Sequence, residues 1–276
     1  MAEQNPFEKG ERPIPAAWTN NPFQAPTAHV EDARSGGDGS LAGEPNRCTA
    51  GRGSAWWSGG WGLFREATGL WIGITVVLLI VIMLTNLIPV VGSLAVNIFM
   101  PVISSGLMLG CRSLEDGEGL TFGHLFAGFQ KNFSQLALVG LLYLVGVVVI
   151  VLGVFALGLG GGIGAAMMGG KVGAGAAFST IMLAVLLGLG LGVPLVMAMW
   201  FAPALVMLND LAAIPAMKLS FQGSLRNMMP FLLYGIIGFV LAIVASIPLA
   251  LGWLVLAPTM ICSTYVSYKE IFVAEG

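Results

Sequence analysis

The chain has 276 residues, 57% hydrophobic and only 9% charged, with a formal net charge of −2 and a mean hydropathy of +0.88. A soluble globular domain carries about a quarter of its residues as Asp, Glu, Lys and Arg, so this balance excludes that class and points to an integral membrane protein. The slightly acidic charge and pI of 5.7 offer no surface for nucleic acid.

Residues 1–55 are of a different material: Pro, Gly, Asn, Glu and Ala, with few large apolar side chains to offset the entropy of ordering. They read as a disordered cytoplasmic tail, since no apolar h-region follows Met1. Asn-Pro-Phe occurs twice, at Asn5-Pro6-Phe7 and Asn21-Pro22-Phe23. An Asn-Pro step favours a turn that presents the ring, so the second copy is a candidate docking motif; an incidental repeat is the alternative.

Three stretches then lack charge altogether: Glu66 to Arg112, Lys131 to Lys171, and Arg226 to Lys269. A hydrocarbon core of ~30 Å takes about 20 apolar residues per helical crossing. Tested against that length, the chain predicts six helices, near 67–88, 92–111, 133–156, 179–207, 229–246 and 249–268. With six, Arg65, Arg112, Lys131, Lys218, Arg226 and Lys269 fall on one side and only Lys171 on the other, so both termini are expected in the cytoplasm.

The helices pair into three similar hairpins. "GLFRE" (62–66), "GFQKN" (128–132) and "GSLRN" (223–227) each precede an apolar helix, and each of these is followed by a turn marked by Pro89, Pro194 or Pro248. A second proline, Pro101, Pro203 or Pro258, lies nine to twelve residues further on, inside the return helix. Three units inserted in the same sense imply a parallel repeat about an axis along the membrane normal. The fold class is therefore all-α integral membrane, six transmembrane helices as three proline-kinked hairpins. Each begins with an amphipathic entry helix: 54–66 with Trp56, Trp57 and Trp61 as an aromatic anchor, 120–132, and 212–227. The second hairpin is longer, and its excess is a glycine-rich insert, "GLGGGIGAAMMGGKVGAGAAF" (158–178), read as a flexible loop or close-packed helix ends.

A proline inside a membrane helix frees a carbonyl that a neighbouring hydroxyl can satisfy. Ser104 and Ser105, and Thr259, Ser263 and Thr264, stand ready for that role. Such kinks either let the return helices wrap a common centre or serve as hinges around a cavity. Gly106-x-x-x-Gly110 and Gly188-x-x-x-Gly192 allow close helix approach.

Chemistry at membrane depth normally shows itself as an ionisable residue, and 67–111, 132–170 and 227–268 have no Asp, Glu, Lys, Arg or His. Asn86 and Asn97, with Tyr143, Tyr234 and Tyr265, are the strongest buried polar candidates; the asparagines read as helix contacts or, with Ser104, Ser105, Thr259 and Ser263, as a pore lining. His124 and His29 stand apart, and the glycine run lacks a phosphate-loop context, so neither metal nor cofactor is expected. Cys48, Cys111 and Cys262 are scattered, without C-x-x-C spacing, and read as small apolar residues.

In "MAMWFAPALVML" (197–208), "PAMKLSFQGSLRNMMPFLLYG" (215–235) and "APTMICSTYVSYKEIF" (257–272), the chain resembles the BPSS1780-type family of bacterial membrane proteins, and more weakly the UPF0259 inner-membrane group. The likeness covers roughly 56–273 and implies a polytopic inner-membrane protein of a Gram-negative bacterium, from a family of no established activity. The Pro-rich tail and the glycine-rich insert depart from the family pattern. The expected role is a non-enzymatic accessory or interaction subunit, in contact with the lipid bilayer and with a membrane-protein partner or a second copy. A channel or carrier for a small neutral or amphipathic solute is one rival and an intramembrane lipid-modifying enzyme the other.

Overall fold

A computed structural model describes residues 41–274. Helix α1 spans Arg52–Glu66, α2 Thr68–Asn86 and α3 Val91–Glu115; a 3-10 turn, Phe122–Phe126, leads into α4, Ala127–Gln130. Helix α5 spans Phe133–Met168, α6 Gly170–Trp200, α7 Ala202–Asn209, α8 Ala213–Arg226, α9 Met228–Ser246 and α10 Trp253–Phe272. In hydrocarbon every backbone N–H and C=O needs an internal partner, so long apolar runs become helices even where glycine propensity argues against it. Among the described residues five helical segments are long and apolar enough to cross a membrane: α2, α3, α5, α6 continued through α7, and α9. The expected sixth, α10, falls outside that group. It begins at Trp253 rather than near 249 and runs on to Phe272, taking in Ser263, Thr264, Ser267, Lys269 and Glu270.

The core lies at one end of the hairpins, their base. Trp56, Phe64, Trp71, Leu107, Leu136, Phe201, Leu205, Ile271 and Phe272 are all fully or almost fully buried there. Beyond it the arms are bare: only Trp71, Ile74 and Thr75 of α2 are buried, and only Gly173 of α6. Leu87, Val90, Met167, Ile247 and Leu249 at the tips are among the most exposed side chains. Lipid tails are as apolar as leucine, so no hydrophobic force drives these arms together, and α5 and α6 meet by close packing instead, at Gly161 against Thr180 and Gly173 against Ala165.

The entry helices meet their hairpins at residues that leave helical geometry: Ala67 (φ −137°), Asn132 (φ 58°) and Asn227 (φ −118°). Two of the three tryptophans expected as the aromatic anchor of helix α1 turn inward. Trp56 and Trp57 are buried, their indole N–H groups donating to Glu270 Oε2 (2.8 Å) and the Tyr234 carbonyl (3.0 Å), and only Trp61 faces outward. Glycine makes this possible: a Cβ on Gly53 would stand 2.3 Å from the Pro230 carbonyl oxygen, and one on Gly60 2.5 Å from the Ser263 nitrogen.

Two further expectations change. The glycine-rich insert is helical, with α5 and α6 turning over at Gly169 (φ 63°) and Gly170 (φ 53°), so the close-packed alternative holds. At 36 and 31 residues, at ~1.5 Å per residue, both helices exceed the hydrocarbon thickness. Residues 41–55, expected to belong to the disordered tail, have a defined structure. Residues 41–51 lie against the end of α10, where Ala42 N donates to Phe272 O (2.8 Å), Asn46 N to Ile271 O (2.7 Å) and Asn46 Nδ2 to Glu270 O (3.1 Å). Those are terminal carbonyls that an isolated helix leaves without partners. Asn21, Pro22 and Phe23, with the first Asn-Pro-Phe copy, lie outside the described residues.

Candidate functional site

The return limb of the second hairpin breaks at Phe201, the C-cap of α6 and N-cap of α7. The buried Ser220 hydroxyl of α8 accepts from Phe201 N (3.0 Å) and donates to Met197 O (2.7 Å). It is thus inserted into the step where an i to i−4 helical bond would close, an identifiable cause of a bend. Pro203 follows in the first turn of α7, where its missing N–H costs nothing. Pro101 and Pro258 sit inside α3 and α10. The hydroxyls expected to serve their freed carbonyls bond elsewhere, each to its own helix: Ser104 to Pro101 O, Ser105 to Val102 O and Thr259 to Val255 O.

Polar side chains stitch the base. Asn227, 1% exposed, accepts from Cys48 N (2.7 Å) and donates to Asn46 O (2.8 Å) and Gly223 O (2.9 Å). Arg52 grips Glu270 with two bonds (2.6 and 2.8 Å), Arg226 pairs with Glu44, and Lys269 with Glu115, which also accepts from the Tyr265 hydroxyl. Tyr268 bonds Asn209 Oδ1. In the second hairpin Lys131 and Asn132 both reach Asp210 and also cap α7 through the Met207 and Val206 carbonyls. Its Gln135 Oε1 accepts from Ala213 N at the start of α8 (2.9 Å).

Asn132, and then Lys131, hold the Asp210 carboxyl below the usual aspartate range. A lowered folded-state value means that its stabilisation is present above the unfolded-state value and lost as pH falls through the folded one. Acidification through that window should therefore lower the unfolding temperature of the native protein more than that of Asp210→Asn. The difference should be small for so exposed a pair, and two parallel melting curves between pH 6 and pH 3 check it.

Beside the base, a groove of ≈ 640 Å³ opens between α6 and α9, walled by Met197, Trp200, Phe231 and Phe239 and closed by Trp57 and Trp253. Its polar groups are few. The Ser224 hydroxyl faces Met197 O (3.4 Å), the Tyr234 hydroxyl is engaged by Ser263 (2.7 Å), and the buried Trp200 Nε1 has no partner among the described residues. Among the described residues no carboxylate, imidazole, amine or thiol lines it. Such a groove can hold an apolar body.

The six polar residues singled out in the sequence do not line a common path. Asn86 and Asn97 are exposed rather than buried, each amide folded back on its own helix at Ile82 O and Ser93 O (both 2.8 Å). Ser104 is half-buried and Ser105 and Thr259 buried. Among the six only Ser263 hydrogen bonds a side chain of another helix, Tyr234. Gly106 packs within the chain, its would-be Cβ 2.2 Å from the His124 carbonyl oxygen, whereas Gly192 faces open space. His124 bonds Thr121 N through Nδ1 (3.0 Å) and Ser113 Oγ through Nε2 (3.3 Å), which fixes the 3-10 turn. The roles of Ser220, Glu270 and Trp200 escaped notice in the sequence. Asn227 had a signal, the repeat Phe-x-Gly-x-x-Lys/Arg-Asn at 126–132 and 221–227, whose final Asn bridges the chain at each break.

No protein-family model matches this chain, and no solved structure matches it. It is similar to a probable inner membrane protein of Burkholderia thailandensis, 29% identical over 248 residues, which cover 80% of this chain and 90% of the relative. With five apolar helices on one packed base, the chain is an all-α membrane protein with a bacterial relative.

Proposed function

We propose that the protein is a non-enzymatic accessory or interaction subunit of a complex in the bacterial inner membrane. It crosses six times, as three hairpins on a shared cytoplasmic base, with both termini in the cytoplasm. The observation that carries the reading is the contrast between base and arms. Buried side chains and ion pairs tie the base together, while the α5–α6 arm and the α6–α9 groove present apolar surface with no ionisable group at depth. The relative's description as a probable inner membrane protein supports the location. Six crossings rest on α10, whose 20 residues span about 30 Å, and on the Lys and Arg gathered at the base.

The groove also supports a second reading, a carrier for a neutral amphipathic solute seated against Trp200. Gly235 lines the groove and has nothing within 4 Å of where its Cβ would stand, so Gly235→Phe fills the groove without disturbing the base. Co-purification from gently solubilised native membranes should give a partner in fixed ratio with the intact chain. Loss of that partner with Gly235→Phe places the contact in the groove, and loss on deleting residues 1–40 places it in the tail. Absence of any partner from the intact protein, together with solute flux in liposomes that Gly235→Phe blocks, would replace the subunit reading with the carrier.

A further inference from the structure

The fold brings together two cysteines 151 residues apart. Cys111 on α3 and Cys262 on α10 are completely buried, and their sulfurs are 3.7 Å apart. They occupy one seam. One turn beyond Cys111, Glu115 reaches across to Tyr265 and Lys269, the residues that follow Cys262 at helical spacing on α10. That bridge holds the register of the two helices and keeps the thiols facing each other. Burial in the apolar core shields the pair from water-soluble reagents and leaves it open to apolar ones.

We propose that Cys111 and Cys262 form an oxidisable dithiol. An organic hydroperoxide, of the apolar kind that dissolves among acyl chains, converts it to a disulfide that ties the first hairpin to the third. One sulfur attacks the outer oxygen of the hydroperoxide as a thiolate, the O–O bond breaks, and the alcohol departs with the proton. The second sulfur displaces the transferred oxygen as water, and the S–S bond forms. Overall the two thiols give up two protons and two electrons, and the hydroperoxide leaves as alcohol and water. Attack requires a thiolate, so the burial of the pair makes the reaction slow and confines it to openings of the seam.

The test is to expose native membranes carrying the full chain to cumene hydroperoxide, denature them in detergent with N-ethylmaleimide, and map cysteine peptides by mass spectrometry. The expected result is a linked Cys111–Cys262 peptide pair, lighter than the two thiols by two hydrogens, with N-ethylmaleimide on Cys48 alone and on all three after dithiothreitol. Cys48→Ser should keep the linkage, and Cys111→Ser and Cys262→Ser should each lose it. If the seam variants fail to accumulate, the wild-type and Cys48→Ser maps still decide the matter. Maleimide on both Cys111 and Cys262 after oxidant, separate oxygen adducts on each, or a linkage through Cys48 would overturn the proposal.

Discussion

Gly60→Leu should prevent the protein from being recovered in folded form, whereas Gly62→Ala on the same helix should leave it intact. A Cβ at Gly60 would lie 2.5 Å from the Ser263 nitrogen and 2.7 Å from its Cα, while at Gly62 nothing lies within 4 Å. The first clash is with backbone, which has no rotamer to give. Helix α1 is also held on both sides, by Gly53 against Pro230 of α9 and by Trp56 and Arg52 on Glu270 of α10. Overpacking commonly costs about 1–3 kcal/mol, and more where the neighbours are fixed. Gly62→Ala instead gains up to ~1 kcal/mol of helix propensity. Fluorescence-detected gel filtration and melting in mild detergent distinguish them. Equal behaviour of the two variants would mean that α1 does not dock as described.

Ser220→Val should destabilise the protein by about 2–4 kcal/mol, because it strands two groups at once, the Phe201 N–H and the Met197 carbonyl, at about 1–3 kcal/mol each. Ser220→Thr keeps the hydroxyl and should lose less. Pro203→Ala should lose less again, since the bend is held by the inserted serine and the ring only occupies a position that needs no N–H. Chemical denaturation of the three variants gives the order. A larger loss for Pro203→Ala than for Ser220→Val would return the bend to the proline.

The sequence carried the arms better than the base. Long uncharged runs bounded by Arg, Lys and Glu pointed to the five long apolar helices of the described residues, three of them within a few residues, because hydrocarbon leaves the backbone no alternative; α10, the expected sixth crossing, falls outside that group. The far end of α5 and the start of α6 were misplaced, since glycine reads as loop in water and stays helical in lipid, where Gly161 and Gly173 close the α5–α6 tip. The tryptophans of α1 were read as interfacial anchors because their spacing is amphipathic; only the packing of α9 and α10 shows that Trp56 and Trp57 turn inward. The two asparagines expected at depth were misread for a related reason. Asn86 and Asn97 can satisfy their amides on the preceding turn, and nothing in their local sequence distinguishes that from a bond to a neighbouring helix. Asn227 and Ser220 act across 181 and 23 residues respectively, a relation that one sequence does not display. The segments 197–208, 215–235 and 257–272, on which the resemblance was read, nevertheless hold Ser220, Asn227 and Glu270, which knot the base.

Whether the bare arms are covered by another polypeptide is tested most directly by native mass spectrometry of the protein released from its own membranes in lipid particles. An interaction subunit should appear at the mass of a defined assembly, one 28.8 kDa chain joined in fixed ratio by a partner or a second copy. Release only as a single chain carrying lipid would contradict the account.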